Sequence, residues 1–255
     1  MLLVIDVGNT HTVAGLYNED RLVRDWRFHT ESKLTGDELH LIFSRFFEQA
    51  GIDTDHIDQT VVSCVVPPLV NAIEGYCRRY LNHPPGWVTH SIVDMPILLD
   101  NPAEIGADRL VNAIAAYEKY RCSLIVIDFG TATTFDCISE NGEYLGGAIA
   151  PGLGIAAEAL FQRASKLPRI ELYNPPESVI GKSTVTSMKS GLLFGYAELV
   201  DGMVRRIALE MDSSPRIIAT GGLGGVIQRI ASSIESVEPD LTLEGLRLLS
   251  KKFIK

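Results

Sequence analysis

The sequence predicts an α/β protein built from two domains of similar topology. A strand motif occurs twice, as LLVIDVGNTHT at residues 2–12 and LIVIDFGTATT at residues 124–134, with six of eleven positions identical at a constant offset of 122 residues. Segments with helical periodicity follow each copy, so strands and helices alternate along the chain. Because the offset is close to half of the 255 residues, two duplicated domains are favoured over an array of small repeats.

Each copy opens with a predicted meander of three strands. Residues 2–7 are a β-branched apolar run that ends in Asp-x-Gly, which is typical of a buried strand followed by a tight turn. A second strand is predicted over residues 12–17, and the turn signal Asn-Glu-Asp at residues 18–20 leads into a third. The equivalent segments of the second copy are residues 124–129, 133–138 and 140–142.

Apolar residues at helical spacing predict the elements that follow each meander. In the first half these are helices over residues 36–50 and 69–80, with an apolar strand over residues 60–66 between them. In the second half they are helices over residues 152–164, 187–210 and 224–233, a strand over 216–219, and a closing helix over 243–254. The predicted domains are residues 1–115 and 116–255, and the closing helix could pack back onto the first.

Composition excludes several classes of protein. Hydrophobic residues make up 46% of the chain and charged residues 22%, so there is enough apolar material for a packed core and no reason to expect disorder. The apolar runs fall far short of the ~18 residues that a membrane span needs. The N-terminal apolar run lacks a basic flank and ends in an aspartate, unlike a signal peptide. We therefore expect a cytoplasmic protein.

The charge and the cysteine content limit the binding partners and the reaction types that we expect. With 23 Lys and Arg against 32 Asp and Glu, the net charge of −9 disfavours nucleic acid as the main partner. The four cysteines show no C-x-x-C spacing, so we interpret them as reduced core thiols. H-E-x-x-H and G-x-S-x-G are also absent from the sequence, which leaves zinc hydrolysis and serine-esterase chemistry without support.

The two Asp-x-Gly turns are candidate phosphate-binding loops. Gly8 permits close backbone approach, Asn9 and Thr10 offer short donors, and Asp6 could hold Mg²⁺ directly or through water. The alternative is that Asp6 and Asp128 only cap their turns through Asx hydrogen bonds. Two copies favour phosphate binding, because facing turns from two domains would enclose a nucleotide's phosphates. A strand that runs into glycines at residues 217–225 could pass close to a ring or a ribose.

Two glycine-containing segments resemble nucleotide-binding motifs but do not match them. Gly181-Lys182-Ser183 looks like the end of a Walker A loop, but Pro176 stands where that motif requires glycine. Residues 152–157 fit the permissive form of G-x-G-x-x-A, but Pro151 interrupts the approach to it. Neither a P-loop nor a Rossmann domain is expected.

A possible acid–base pair follows the Asn-Pro at residues 101–102. Gly106 and Ala107 lie at a predicted helix start, where free N–H groups attract an anion. Arg109 could bind a substrate carboxylate while Asp108 accepts a proton from a hydroxyl. The alternative is that Asp108 is an ordinary first-turn acid and Arg109 a solvated or ion-paired side chain.

Together these motifs closely resemble those of the type III pantothenate kinases in content, order and spacing. The segments that carry the resemblance are DVGNT at residues 6–10, GADR at 106–109, DFGTAT at 128–133, GKST at 181–184 and TGGL at 220–223. The resemblance implies two duplicated ribonuclease-H-like lobes of the actin-like ATPase superfamily, with a nucleotide cleft between them. It also implies ATP-dependent phosphorylation of the primary hydroxyl of pantothenate to 4'-phosphopantothenate, the first step of coenzyme A biosynthesis.

The resemblance also implies roles for individual residues. The first phosphate loop would bind ATP through Asp6, Val7, Gly8, Asn9, Thr10, His11, Thr12 and Val13. Asp6 would help to hold Mg²⁺, Thr131 would contact ATP, and Asp128 matches the ligand of a monovalent cation, K⁺ or NH₄⁺. Pantothenate would bind at Gly106, Ala107, Asp108, Arg109 and Thr184, with Asp108 as the proton acceptor. The family's members are homodimers whose pantothenate pocket is completed at the subunit interface, so a homodimer is implied.

The sequence departs from the family at one position. Many members have a tyrosine two residues before the Asn-Pro, where this chain has Leu99, so one polar contact to pantothenate is in question. Two alternatives therefore stay open: a non-catalytic regulator on the same fold, and a kinase for another small hydroxylated acid or sugar. The presence of Asp6, Asp108 and Asp128 together favours the pantothenate kinase, since a binding module needs no base.

Overall fold

The computed structural model describes residues 1–211 and 213–253, and within them the chain forms two mixed five-stranded sheets with α-helices. The strands are β1 (Leu2–Val7), β2 (His11–Asn18), β3 (Arg21–His29), β4 (Gln59–Cys64), β5 (Gly86–Trp87), β6 (Leu124–Phe129), β7 (Ala132–Ile138), β8 (Tyr144–Pro151), β9 (Arg216–Thr220) and β10 (Ser236–Val237). The helices are α1 (Gly36–Ala50), α2 (Val70–Tyr80), α3 (Ala107–Tyr120), α4 (Leu153–Arg163), α5 (Thr184–Glu210), α6 (Gly224–Gln228) and α7 (Leu241–Leu249).

The chain divides into two compact units, each containing one sheet. Unit 1 consists of Met1–Asp94, Asn101–Ala115 and the segment that begins at Leu241, and unit 2 of Met95–Asp100 and Ala116–Asp240. The sheet orders are β3-β2-β1-β4-β5 in unit 1 and β8-β7-β6-β9-β10 in unit 2. The duplicated α/β topology predicted from the repeat is thus confirmed, and each sheet adds one short edge strand, β5 or β10, that the sequence did not predict. The predicted boundary after residue 115 describes the units incompletely. Met95–Asp100 precedes this boundary but belongs to unit 2, and the segment that begins at Leu241 follows it but belongs to unit 1.

The first strand shows how the sheet of unit 1 buries both faces. β1 pairs antiparallel with β2 and parallel with β4. Ile5 lies in a hydrophobic cluster with residues of α1 and α2, whereas Val4 lies in a second cluster with Val111 of α3 and Leu246 of α7. Because strand side chains alternate between faces, Asp6 at the end of β1 shares the face of Val4.

The sheet of unit 2 follows the same arrangement. β6 pairs antiparallel with β7 and parallel with β9. Ile127 lies in a cluster with Leu153 of α4, Leu193 of α5 and Ile227 of α6. By alternation, Asp128 near the end of β6 lies on the opposite face from Ile127, as Asp6 of β1 lies on the opposite face from Ile5.

The two hairpins differ in length by one residue. Val7 pairs with Thr12 across a four-residue connection, whereas Phe129 pairs with Thr133 across a three-residue connection. Thr133 therefore occupies the position of Thr12, in agreement with the predicted starts of the second strands at residues 12 and 133, and the constant offset of 122 shifts by one residue at this turn. The Thr-Thr pair at residues 133–134 accommodates either alignment in the sequence.

The observed α5 is longer at its start than predicted. It begins at Thr184 instead of residue 187, because Ser183 accepts a hydrogen bond from the backbone N–H of Thr186 and forms a capping box with it. The side chain at a cap of this kind satisfies N–H groups that the helix itself leaves open.

The observed α6 is shorter than the predicted helix over residues 224–233 and ends at Gln228. Asp201 of α5 accepts hydrogen bonds from the backbone N–H groups of Ser232 and Ser233, at 2.8 and 2.9 Å, and from both hydroxyls. These bonds give the two serines partners outside any helix, so the helix stops before them.

The closing helix belongs to unit 1. α7 spans Leu241–Leu249 and is followed by a 3-10 turn over Ser250–Phe253, whereas the predicted end at Ile254 lies outside the described residues. Leu243 and Leu246 pack in the cluster that contains Val4 of β1. No helix within the described ranges is long and apolar enough to cross a membrane.

Replacing Gly245 with alanine is expected to destabilise unit 1. A Cβ at this buried position of α7 would lie 2.4 Å from the carbonyl oxygen of Val111 and 2.6 Å from its Cγ1. Overpacking against backbone typically costs ~1–3 kcal/mol, which would lower the urea midpoint of unfolding. Gly75→Ala is the matched control, since no atom lies within 4 Å of a Cβ there and alanine favours the helix. Equal midpoints for the two variants would contradict the close α7–α3 packing.

Candidate active site

The first phosphate loop connects β1 and β2 in unit 1. The backbone N–H of Gly8 donates to the carbonyl oxygen of His11 at 3.1 Å, and Thr30 braces the loop from the end of β3. Thr30 donates through its backbone N–H to Thr10 O at 3.0 Å and through its hydroxyl to Gly8 O at 2.7 Å. These hydrogen bonds fix the backbone of the loop, while its tip residues Asn9 and Thr10 are exposed.

The residues predicted to bind ATP occupy three places in this hairpin. Asp6 and Val7 end β1, Gly8, Asn9 and Thr10 form the turn, and His11, Thr12 and Val13 begin β2. They are contiguous in the structure, as expected of one loop. Thr12 is buried, and its hydroxyl lies 2.9 Å from that of Thr30, so it supports the loop from inside.

A pair of histidines lies beside the first loop. The rings of His11 on β2 and His29 on β3 stack with their centroids 4.9 Å apart. Burial, together with the charges of His29 and Arg27, lowers the pKa of His11. His11 is therefore expected to be largely neutral at pH 7, when its stacking on His29 carries little charge repulsion.

The second loop connects β6 and β7 in unit 2 and is braced in a related way. The backbone N–H of Gly152, just after β8, donates to Thr131 O at 3.2 Å. A Cβ at Gly152 would lie 2.2 Å from that same oxygen, so only glycine allows this approach. Thr131 itself is exposed. The sequence analysis did not identify Thr30 and Gly152, although these two residues are separated by the same 122 positions as the two copies of the repeat.

Asp128 lies under the glycine turn that follows β9. It pairs in register with Thr220, and the next residue, Gly221, has a backbone φ of +85°. A Cβ at Gly221 would lie 2.5 Å from Asp128 Oδ1, and one at Gly130 would lie 3.7 Å from the same atom. The glycines at these two positions thus keep side chains away from Asp128 Oδ1 on their sides, an arrangement that we call the cradle of Asp128, and its carboxylate is of the kind that could hold a cation.

The predicted acid–base segment begins α3 in unit 1. As expected from the sequence, the helix starts at Ala107, and the backbone N–H of Leu110 donates to Gly106 O. Asp108 Oδ1 accepts a hydrogen bond from the backbone N–H of Arg109 at 2.8 Å. A Cβ at Gly106 would lie 2.5 Å from this oxygen, so the glycine makes room for the carboxylate to fold back over the helix start.

Burial is the main influence on the Asp108 carboxyl. Desolvation raises its pKa above the ordinary 3.8, while the hydrogen bond from Arg109 and the charge of that residue offset part of the shift. Ala107, which precedes it, packs against the cluster containing Val4, on the face that Asp6 shares. Unit 1 therefore places the first turn of α3 over the same face of the sheet as the first loop's aspartate.

The two remaining predicted residues lie in unit 2. Thr184 is the first residue of α5 and is exposed, next to the cap residue Ser183. Leu99 lies in a segment that joins the sheet edge, where the N–H of Leu98 donates to Tyr144 O at 2.8 Å. A Cβ at Gly146 would lie 3.5 Å from a methyl group of Leu99, so the leucine packs along β8.

The donor set determines which cations these residues could hold. Within residues 1–211 and 213–253, no three His, Cys, Asp or Glu side chains come together as a metal cluster. A divalent cation such as Mg²⁺ usually binds to one or two carboxylates plus substrate phosphates and water, and Asp6 beside an open loop provides such a site. The residues present thus fit a metal that arrives with a nucleotide.

Comparison with known proteins identifies the family. The sequence profile described as "Type III pantothenate kinase" matches residues 2–206. The chain is 59% identical over 250 residues to the type III pantothenate kinase of Desulfatibacillum aliphaticivorans, covering 98% of this chain and 97% of that protein. It is 54% identical over 252 residues to that of Desulforapulum autotrophicum, covering 98% and 96%.

A solved structure supports the fold. The inorganic polyphosphate/ATP-glucomannokinase from Arthrobacter sp. strain KM superimposes with a TM-score of 0.54, covering 99% of both chains at 15% identity. This chain therefore shares the fold of that structure, in agreement with the α/β fold that the sequence predicts. With the profile match over most of its length and relatives that are more than half identical, this chain belongs to the type III pantothenate kinase family.

Proposed function

We propose that this protein transfers the γ-phosphoryl group of ATP to the primary hydroxyl of pantothenate, the first step of coenzyme A biosynthesis. Family membership makes it a kinase that uses ATP with a divalent metal. The observation that best supports this acceptor is Asp108, which is desolvated at the first turn of α3 beside Arg109.

Asp108 acts as the general base. Its pKa, raised by burial, makes the carboxylate a better proton acceptor than an exposed aspartate. It takes the proton of the pantothenate hydroxyl as that oxygen attacks the γ-phosphorus and the bond to the ADP oxygen breaks. Arg109 binds the pantothenate carboxylate, which fixes the hydroxyl relative to the base, and the helix start at Gly106 and Ala107 contributes open N–H groups.

The two loops bind the phosphates and cations. Asp6 and the backbone of residues 8–13 would hold Mg-ATP, and Thr131 would contact ATP. Asp128 would hold K⁺ or NH₄⁺ in its cradle. Phosphoryl transfer proceeds through a loose, highly charged transition state, which bound cations stabilise by neutralising the phosphate oxygens. An acidic protein gains from such imported positive charge.

Assembly and location complete the proposal. The protein forms a homodimer, in which Thr184 and the adjoining residues contact pantothenate. Exposed apolar side chains on unit 2, such as Ile149 on β8 and Val185 on α5, are consistent with a partner surface there. The cytoplasm is the expected compartment, in keeping with four cysteines that are all free thiols.

The test is ADP release by the purified protein with Mg-ATP, with and without pantothenate, in K⁺ and in Na⁺ buffer. Pantothenate-dependent turnover that K⁺ stimulates supports the acceptor and the cation site together. Binding of ATP and pantothenate without turnover would favour the non-catalytic regulator. Turnover with another hydroxylated acid but not with pantothenate would favour the alternative kinase, and Leu99→Tyr would then be the first variant to examine.

A further inference from the structure

A buried serine on β4 has no partner for its hydroxyl. Ser63 is 0% exposed, and its Oγ has no hydrogen-bond partner within the described residues. Leaving a buried hydroxyl unpaired costs free energy, and most buried polar side-chain atoms in proteins are hydrogen-bonded. Of the other buried residues of this strand, Val61 and Val62 are apolar, and the Thr60 hydroxyl lies 2.9 Å from His83 Nε2, so Ser63 is the exception in having no partner among the described residues.

Ser63 lies next to Asp6. The two residues are paired in register on the parallel strands β4 and β1, so their side chains project from the same face. The hydrophobic clusters support this direction, because Val61 shares a cluster with its own partner Val4, two residues back on each strand. The Ser63 hydroxyl therefore neighbours the carboxylate that ends the first phosphate loop's strand.

The second copy of the fold repeats the arrangement. Asp128 of β6 pairs in register with Thr220 on the parallel strand β9, and Thr220 is 2% exposed. Both copies thus place a buried hydroxyl residue on the strand beside the loop aspartate. An apolar residue would fill either position without the cost of burying a hydroxyl, so the repetition indicates a shared requirement of the carboxylates.

We propose that Ser63 is a positioning residue whose hydroxyl donates a hydrogen bond to the Asp6 carboxylate and holds it in the orientation that a phosphate-bound divalent cation requires. The inference rests on the proposed function, since it needs a metal–nucleotide complex at the first loop. A carboxylate has about four acceptor positions, so it can bind a cation and accept this bond together with its other contacts. Rotation of the serine side chain to another staggered rotamer would supply the donor.

Ser63→Ala separates this role from a structural one. If the hydroxyl serves Asp6 only when metal is bound, the unliganded variant should melt at the same temperature as the wild type or higher, because an unpaired buried group has been removed. Mn²⁺ binding to the protein–ADP complex, followed by electron paramagnetic resonance, should weaken about tenfold, as is usual when an outer-shell partner of a metal ligand is lost. Binding of ADP in EDTA should not change.

Ser123→Ala is the matched control. Ser123 is also buried, but its hydroxyl lies 3.0 Å from that of Ser213 at the far end of the second sheet. This variant should show the opposite pattern, with a lower melting temperature and unchanged Mn²⁺ affinity. Ser63→Cys, whose somewhat larger thiol is a weaker donor, should bind Mn²⁺ with an affinity between those of Ser63→Ala and the wild type.

The outcomes distinguish a failure of the proposed function from a failure of the role proposed for Ser63. A wild type that fails to bind Mn²⁺ with ADP would overturn the proposed function and this inference with it. A wild type that binds both, with Ser63→Ala indistinguishable from it in Mn²⁺ affinity, would overturn only the role of Ser63. A Ser63→Ala protein that melts several degrees lower but keeps its metal affinity would mark the serine as structural and overturn the inference as well.

Discussion

Replacing Asp108 with asparagine is expected to reduce kcat by about 10²- to 10⁴-fold, the usual contribution of a general base. The amide has nearly the shape of the carboxylate and lacks only the ability to accept the hydroxyl proton. Pantothenate binding, measured by titration calorimetry, should change little because Arg109 and the helix start are retained. ADP release at saturating substrates measures the loss of turnover.

Glu118→Gln is a suitable control for this experiment. Glu118 lies on the same helix, is exposed, and pairs with Arg121, so the substitution changes the net charge equally at the opposite end of α3. Its kcat should stay near that of the wild type. Turnover by Asp108→Asn within a few-fold of the control would show that Asp108 is not an essential base.

The pH dependence of kcat/KM provides an independent check on the same residue. Burial raises the pKa of Asp108, so the base form is lost at a higher pH than for an exposed aspartate as the solution is acidified. The acid limb of the profile should therefore lie above pH 3.8, the ordinary value. The same shift means that ionised Asp108 opposes folding at neutral pH, and this cost is relieved when acid protonates it. A flat profile down to pH 4 would contradict the assignment.

Gly221→Ala is expected to have the largest effect on stability, about 2–5 kcal/mol in unit 2. Its φ of +85° costs an alanine ~1–2 kcal/mol, and overpacking adds ~1–3 kcal/mol. The new Cβ would lie 2.5 Å from Asp128 Oδ1 and 2.7 Å from backbone atoms of Phe129, so the clash is with groups that cannot easily move. Urea unfolding measures the loss, and K⁺ stimulation should fall with it because the cradle of Asp128 is distorted.

The neighbouring glycine supplies the comparison for this variant. A Cβ at Gly222 would have no atom within 4 Å of it, so Gly222→Ala should unfold at nearly the wild-type urea concentration. The two variants change the same glycine turn by one methyl group each. If both unfold at the same concentration, the turn can relax around the Asp128 carboxylate, and the close approach is not a constraint.

The strands of this fold could be predicted because local pattern and tertiary role coincide. The runs that became β1 and β6 are β-branched, apolar and followed by Asp-x-Gly, so buried strand and tight turn are both specified within a few residues. Because the same pattern occurs in both copies of the repeat, each strand prediction strengthened the other. The start of α3 at Ala107 was predictable for a related reason, since Gly106 precedes it and Asp108 is an acidic residue in its first turn.

Features that depend on distant residues could not be predicted. The end of α6 is decided by Asp201, more than twenty residues earlier on α5, which binds the backbone of Ser232 and Ser233. The bracing of the loops by Thr30 and Gly152 likewise appears only when the third strand of each meander folds back. Ser63 gave no signal until its register with Asp6 was known.

The interrupted path of unit 1 has a consequence for folding during translation. Unit 1 begins the chain, yet α7, whose Leu243 and Leu246 complete the cluster around Val4, is synthesised only after all of unit 2. While the ribosome makes residues 116–240, the β1 face that α7 covers remains open to solvent. Domains usually fold as units in the order of synthesis, so this protein should complete its second unit before its first and expose an apolar sheet face in the interval.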